Sequence, residues 1–260
     1  MKLAVTGKGG VGKTTLSSLL AGVYAAEGKT VIAIDANPDA NLAMGLGIPP
    51  EEVAKLVPIA EMKDLIEERT GAKPGQSGSY FKINPVVDDI PDHFSLKHGN
   101  IKLLAMGTVK QGGGGCLCPE SALIRSLLAH LLVRRSEVVI MDMDAGVEHL
   151  GRGTAQFVDA FLVVVEPGQR SVGTARAVQA LAKDLGIKHC LVVGSKVRGE
   201  ADKQFIRESL PDMKILGFID YHPELAHADR EGMGAYQASP AAAEQVRKIK
   251  DVLENLLTKA

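Results

Sequence analysis

The sequence predicts an α/β fold, a mostly parallel sheet with helices on both faces, in a single domain over residues 1–260. Three observations predict it. Short apolar runs alternate with longer amphipathic ones, which is the pattern of βαβ units. Several short runs, such as Val138-Val139-Ile140-Met141 and Phe161-Leu162-Val163-Val164-Val165, are apolar at every position, as strands covered on both faces must be. No internal repeat and no Pro/Ser-rich linker divides the 260 residues, a length that one α/β domain commonly fills.

The first strand is expected over residues 3–6, running straight into a glycine loop. The helix after it, 13–27, carries Leu16, Leu19, Leu20 and Val23 at spacings of three and four. A second strand is expected over 30–35. Residues 49–100 are less regular, with one helix at 59–70 and then a Gly/Pro/Asp-rich stretch, and read as an insertion or mobile flap. A further strand follows at 101–106. The helix at 119–134 opens with proline at its first position and presents Leu123, Leu127, Leu128 and Leu131. Strands at 137–142, 160–166, 190–195 and 214–219, with helices at 171–185 and 240–257, complete the set.

Composition narrows the function. A formal net charge of −1 argues against nucleic-acid binding as the main task, because phosphate-backbone binders carry a basic excess. The absence of Trp weakens any reading based on base stacking. No apolar stretch approaches the ~18–20 residues of a membrane helix, so no stable membrane insertion is expected and the expected location is cytoplasmic. Three cysteines in a chain of this length are not a disulfide framework.

Gly7-Lys8-Gly9-Gly10-Val11-Gly12-Lys13-Thr14 satisfies G-x-x-x-x-G-K-[ST] between a strand and a helix, which identifies a P-loop NTPase. A loop that wraps an anion with backbone N–H groups needs glycine, and the following helix aims its amides at the charge. The backbone of Gly9, Gly10, Val11, Gly12, Lys13, Thr14 and Thr15 is expected to cradle ATP or ADP. Lys13 neutralises the β- and γ-phosphates, and the Thr14 hydroxyl binds Mg²⁺. Asp142 ends an apolar strand, where a carboxylate holds Mg²⁺ through water. Asp144 is a weaker candidate, and Gly146 lets a backbone N–H approach the γ-phosphate. The segment Asp35-Ala36-Asn37-Pro38-Asp39 leaves the edge of the sheet where α/β ligands bind; Asp35 or Asp39 orients water or completes the metal shell, or the segment is simply a polar turn.

The second strong feature is Gly112-Gly113-Gly114-Gly115-Cys116-Leu117-Cys118-Pro119. Two thiols two residues apart in an extended segment lean to a common side, and Cys118 sits where a helix N-terminus favours thiolate. Thiolates suit Zn²⁺, and square-planar sulfur suits Ni²⁺; a redox pair or two incidental loop thiols are the alternatives. Cys190, opening an apolar strand, reads as a small buried hydrophobe. His149 and His222 are candidate metal or nucleotide neighbours, with a core or surface place the simpler reading.

Lys8-Gly9-Gly10-Val11-Gly12-Lys13-Thr14-Thr15 resembles the deviant Walker A of the MinD/nitrogenase-iron-protein/ArsA ATPases. The likeness continues through Asn37-Pro38-Asp39, Asp142–His149-Leu150 and Ser195-Lys196-Val197. With the cysteine pair and Ala145-Gly146-Val147-Glu148-His149-Leu150, it is nearest to the CooC-type accessory ATPases of nickel insertion into carbon monoxide dehydrogenase or acetyl-CoA synthase. The resemblance implies that Lys8 crosses a homodimer interface to the partner's nucleotide, that Lys196 lies at the base, and that the client is one of those nickel enzymes. A two-fold dimer would supply Cys116 and Cys118 twice and close a four-sulfur site on its axis.

Two departures matter. The family places aspartate before the switch proline; Asn37 stands here, and an amide accepts no proton at neutral pH. The hydrolytic role therefore falls to Asp39, with Asp35 behind it. Ser195 stands where related chains often carry asparagine, so adenine over guanine rests on the resemblance. Two other functions compete with the metallochaperone. A MinD-like membrane or protein-positioning switch predicts a basic amphipathic C-terminal helix. An electron-transfer ATPase predicts an iron–sulfur cluster shared by four cysteines of a dimer.

Overall fold

The computed structural model describes residues 1–37, 41–75, 80–107, 118–144, 155 and 157–258. Through them runs one eight-stranded sheet in the order β3-β4-β2-β5-β1-β6-β7-β8. The strands are β1 (Lys2–Gly7), β2 (Val31–Asp35), β3 (Leu96–His98), β4 (Ile101–Ala105), β5 (Val138–Asp142), β6 (Ala160–Val165), β7 (Cys190–Val197) and β8 (Lys214–Asp220). All neighbours pair in parallel except the edge hairpin of β3 with β4.

Alternation along the strands divides the core in two. Ala4, Ile32, Ile34, Val139 and Val163 face a layer built from helices Pro119–Val133 and Gln169–Asp184, through Leu123, Leu127, Leu131, Val172 and Val178. Leu3, Val5, Val31, Ala33 and Ile140 face helix α1 (Lys13–Ala26) and the C-terminal helix Pro240–Thr258, through Leu16, Leu20, Val246, Ile249 and Leu253. Each such aliphatic side chain contributes about 1.5–3 kcal/mol relative to exposure. Burial on both faces is why the strand sequences are apolar without a period of two.

The strand expectations hold to within two residues at each end. β3 was absent from them: Leu96-Lys97-His98 is too short and polar to register, although Gly99-Asn100 after it, with Gly99 at φ 55°, is a two-residue hairpin signal. Helices Glu200–Ser209 and Pro223–Glu231 were also missed. The expected helix at 59–70 is split into a 3₁₀ turn, Ile59–Glu61, and an α-helix, Lys63–Thr70, because Met62 leaves helical conformation at ψ 77°.

The described part of 49–100 packs into the core. Ile59, Leu65, Ile66, Val87 and Ile90 belong to the core layer beside helix Pro119–Val133. Ala60 donates its N–H to the Met106 carbonyl at 3.0 Å, and the Arg69 guanidinium grips the Asp89 carboxylate through two bonds of 2.9 and 2.7 Å. Pro- and Gly-rich sequence masks this packing, because its apolar residues lie far apart in the chain and join only in the folded core.

Candidate nucleotide site

Register brings the site together. Val5 of β1 pairs with Asp142 of β5, and Asp142 pairs with Asp35 of β2, so three strands end side by side below the glycine loop. The loop then needs its glycines. A Cβ on Gly7, at φ 147°, would stand 2.5 Å from the Val164 carbonyl oxygen of β6. Gly12 takes the left-handed region at φ 102° and starts α1 with no described side chain capping its first amides. Those amides and the helix dipole point at the loop's interior. Val11 is buried in the core and anchors the loop from below.

Lys13 is only 8% exposed. Its Nζ lies 3.4 Å from the Lys8 carbonyl oxygen and 3.8 Å from Asp144 Oδ1. Thr6 Oγ1 donates to the Asp144 carbonyl at 2.8 Å and fixes the backbone there. Lys8 turns the other way: its Nζ lies 3.1 Å from Glu166 Oε1 at the end of β6, and both side chains are about one-third exposed.

Asp142 is the most constrained carboxylate. It is fully buried, Thr14 Oγ1 donates to its Oδ2 at 2.6 Å, and its Oδ1 has no partner among the described residues. Burial and the neighbouring Asp35 charge outweigh the opposing pull of Thr14 and Lys13 and push its pKa up to about 7. An orphaned carboxylate oxygen beside a threonine hydroxyl fits a hard cation, which oxygen donors bind.

Asp35 has another job. Its Oδ2 accepts the Leu42 N–H at 2.8 Å and its Oδ1 the Asn37 N–H at 3.1 Å, so both oxygens hold the loop that follows β2. Burial still raises its pKa, with those two bonds opposing. Asn37 Nδ2 donates to the Asp142 carbonyl at 3.3 Å, and its Oδ1 is buried and unpartnered among the described residues. Asp39 and Gly146, both expected here, lie outside the described residues, as does Cys116.

A cavity of about 760 Å³ opens from Gly9, Gly10, Gly12, Lys13, Thr14 and Thr15. It continues past Ser195 and Lys196 to the end of β8 and helix Pro223–Glu231. Lys196, at φ 56°, sits where the pairing of β7 with β8 shifts register, and its Nζ donates to the Gly10 carbonyl. The far wall includes Ile219, Asp220, Tyr221, His222 and Leu225. Of these, His222 is the one the sequence offers as a candidate nucleotide neighbour; Asp220, Tyr221 and Leu225 carry no motif. The available signal was that β8 ends at the same sheet edge as β1.

Cys118 precedes helix Pro119–Val133 in extended conformation, with Sγ donating to Ser121 Oγ at 3.2 Å. Cys190 is a half-buried thiol in β7 that burial pushes up to about 11, consistent with a packing role. Among the described residues, no three or more His, Cys, Asp or Glu side chains gather around a metal-sized space.

A glycine loop between a central parallel strand and a helix, with a buried lysine inside it and a buried strand-end carboxylate beneath it, defines a P-loop nucleotide-binding protein. The chain belongs to the CobQ/CobB/MinD/ParA nucleotide-binding family, whose domain model matches residues 2–235. It is an ATPase, and its nucleotide is ATP with Mg²⁺. It is 47% identical over 253 residues to the carbon monoxide dehydrogenase accessory protein CooC of Rhodospirillum rubrum, covering 97% of this chain and 96% of that protein. It is equally 47% identical over 252 residues to an uncharacterised ATP-binding protein of Methanocaldococcus jannaschii, with 96% of each covered. In fold it is similar to MinD in the MinC:MinD cell division complex of Aquifex aeolicus, at TM-score 0.70 and 21% identity, over 100% of this chain and 97% of that one.

Proposed function

We propose that the protein is a homodimeric, ATP-hydrolysing metallochaperone that carries nickel, or zinc, on Cys116 and Cys118 and assists nickel insertion into carbon monoxide dehydrogenase or acetyl-CoA synthase. The observation that carries the reading is the 47% identity to CooC along nearly the whole chain, together with the Cys-x-Cys pair at the mouth of a helix. Cys118 supports it from its place at the helix N-terminus, where its thiol is half-exposed.

The described part of the site supports a hydrolytic cycle. The amides of Gly9 to Thr15 hold the phosphates and the Lys13 ammonium balances the β- and γ-oxygens. Thr14 Oγ1 and Asp142 would hold Mg²⁺, which neutralises charge on the β- and γ-phosphates. Water attacks the γ-phosphorus, the bond to the β,γ-bridging oxygen breaks, and that oxygen leaves with the electron pair on ADP. Asn37 positions the water through its amide, and Asp39 takes its proton. Asp35 acts on the same water only at second hand, by fixing the loop that carries Asn37. Lys196 closes the base end of the site against the loop.

ATP joins two chains through Lys8, which exchanges its contact with Glu166 for the partner's phosphates. The exchange is cheap, because an exposed ion pair is worth about 0–1 kcal/mol. Closure brings the two cysteine pairs onto the dimer axis, and hydrolysis releases them with the metal.

Lys8→Ala is expected to leave ATP bound within about threefold of the native affinity while removing ATP-dependent dimer formation. Glu166→Gln is expected to lower the ATP concentration needed for dimerisation. Light scattering across an ATP titration reads both; an unchanged dimer in Lys8→Ala contradicts the role given to Lys8. The membrane-switch reading finds less support. The C-terminal helix spends its apolar face, Val246, Ile249 and Leu253, on the core.

A further inference from the structure

The far wall of the nucleotide cavity is held by a residue that does not line it. Gln245, in the second turn of the C-terminal helix, reaches back to the end of β8. Its Oε1 accepts the Asp220 backbone N–H at 3.1 Å, and its Nε2 donates to Asp220 Oδ2 at 2.7 Å. The amide orientation is settled by the first bond, since a backbone N–H can only donate. Gln245 Oε1 also lies 3.0 Å from His222 Nε2, so that nitrogen carries the proton and donates. His222 Nδ1 stands 3.2 Å from Glu224 Oε1, which accepts from Ser239 Oγ at 2.9 Å. Ser239 Oγ in turn accepts the Ala242 N–H at 3.2 Å and caps the C-terminal helix.

Asp220 and His222 both line the cavity, at the end opposite the phosphate loop. With the phosphates fixed at the loop, that end receives the purine base. Around Asp220 and His222, Ile219 and Leu225 offer the base a flat apolar contact, with Tyr221 and Asp229 also in the wall. We propose that Gln245 is the positioning residue for purine recognition: it sets Asp220 and His222 in the directions from which they meet the base. The inference rests on the ATPase and is independent of the metal the protein carries.

Steady-state ATP hydrolysis with Mg²⁺ as the sole divalent metal tests it. Gln245→Ala is expected to raise KM for ATP about tenfold with kcat within about twofold of native, the size of a lost pair of hydrogen bonds. Gln245→Glu keeps both acceptor bonds but faces the Asp220 carboxylate with a like charge, and raises KM to a similar degree. Adding Asp220→Asn to Gln245→Glu restores a donor opposite an acceptor, and is expected to return KM to within about twofold of Asp220→Asn alone. A purely structural Gln245 would lower Tm without moving KM and would show no recovery in the double variant. An unchanged KM in Gln245→Ala, or a double variant no better than Gln245→Glu, overturns the proposal.

Discussion

Asp142→Asn is expected to make the nucleotide-free protein more stable at pH 8, by about 1–3 kcal/mol, while lowering kcat for ATP hydrolysis by about 10²–10³-fold. The two effects share one cause. Asp142 is fully buried, one of its oxygens has no partner among the described residues, and burial raises its pKa to about 7. A carboxylate whose folded pKa lies above its unfolded value binds more protons folded than unfolded. Its share of stability therefore falls as pH rises from about 4 to about 7, and the cost is complete above that. Asparagine of the same shape accepts the Thr14 hydroxyl without the charge, and its advantage shrinks at pH 6, where Asp142 is largely protonated. Mg²⁺ and ATP reverse the order, because they bind the native site and stabilise it by mass action. Thermal scans at pH 6 and 8, with and without Mg·ATP, read all of this; a variant less stable than native at pH 8 without nucleotide contradicts it.

Replacing Cys118 or Cys116 with serine is expected to weaken Ni²⁺ and Zn²⁺ binding by at least about 10²-fold. A hydroxyl is a poor ligand for either ion, and one substitution per chain removes two of the four sulfurs in a two-fold site. The double variant leaves no sulfur at the site and is expected to bind more weakly than either single one. Equilibrium dialysis of dimeric protein measures it, with Tm as the check that the variants are folded. Stoichiometric metal in both single variants would remove the cysteine pair from the account.

Much of this was legible in the chain because the main signals are local. The β1–loop–α1 unit is contiguous, so the glycines, Lys13 and Thr14 could be placed from spacing alone, and β5 announced Asp142 by a run of buried aliphatics before a single acid. What stayed hidden depends on contacts across the sheet. Asp35 looked like a catalytic candidate beside Asp39, yet its two oxygens are taken by Asn37 and Leu42 N–H groups, a loop closure that no spacing rule announces. His222 and Asp220 are in the cavity because β8 ends at the same edge as β1, and Gln245 reaches them from 25 and 23 residues away in sequence. The packing of the described part of 49–100 is hidden for the same reason: Ile66 and Ile90, far apart in sequence, join one core layer. Cys116, Asp39 and Gly146 fall outside the described residues, and their roles rest on sequence and family.

The central claim is that ATP closes two chains around one metal ion. The measurement that bears on it most directly is molecular mass together with metal content of anaerobically prepared protein, with and without ATP. The account predicts a two-chain mass and one Ni²⁺ or Zn²⁺ per two chains when ATP is present. A single-chain mass with ATP, or one metal ion bound per chain, would contradict it.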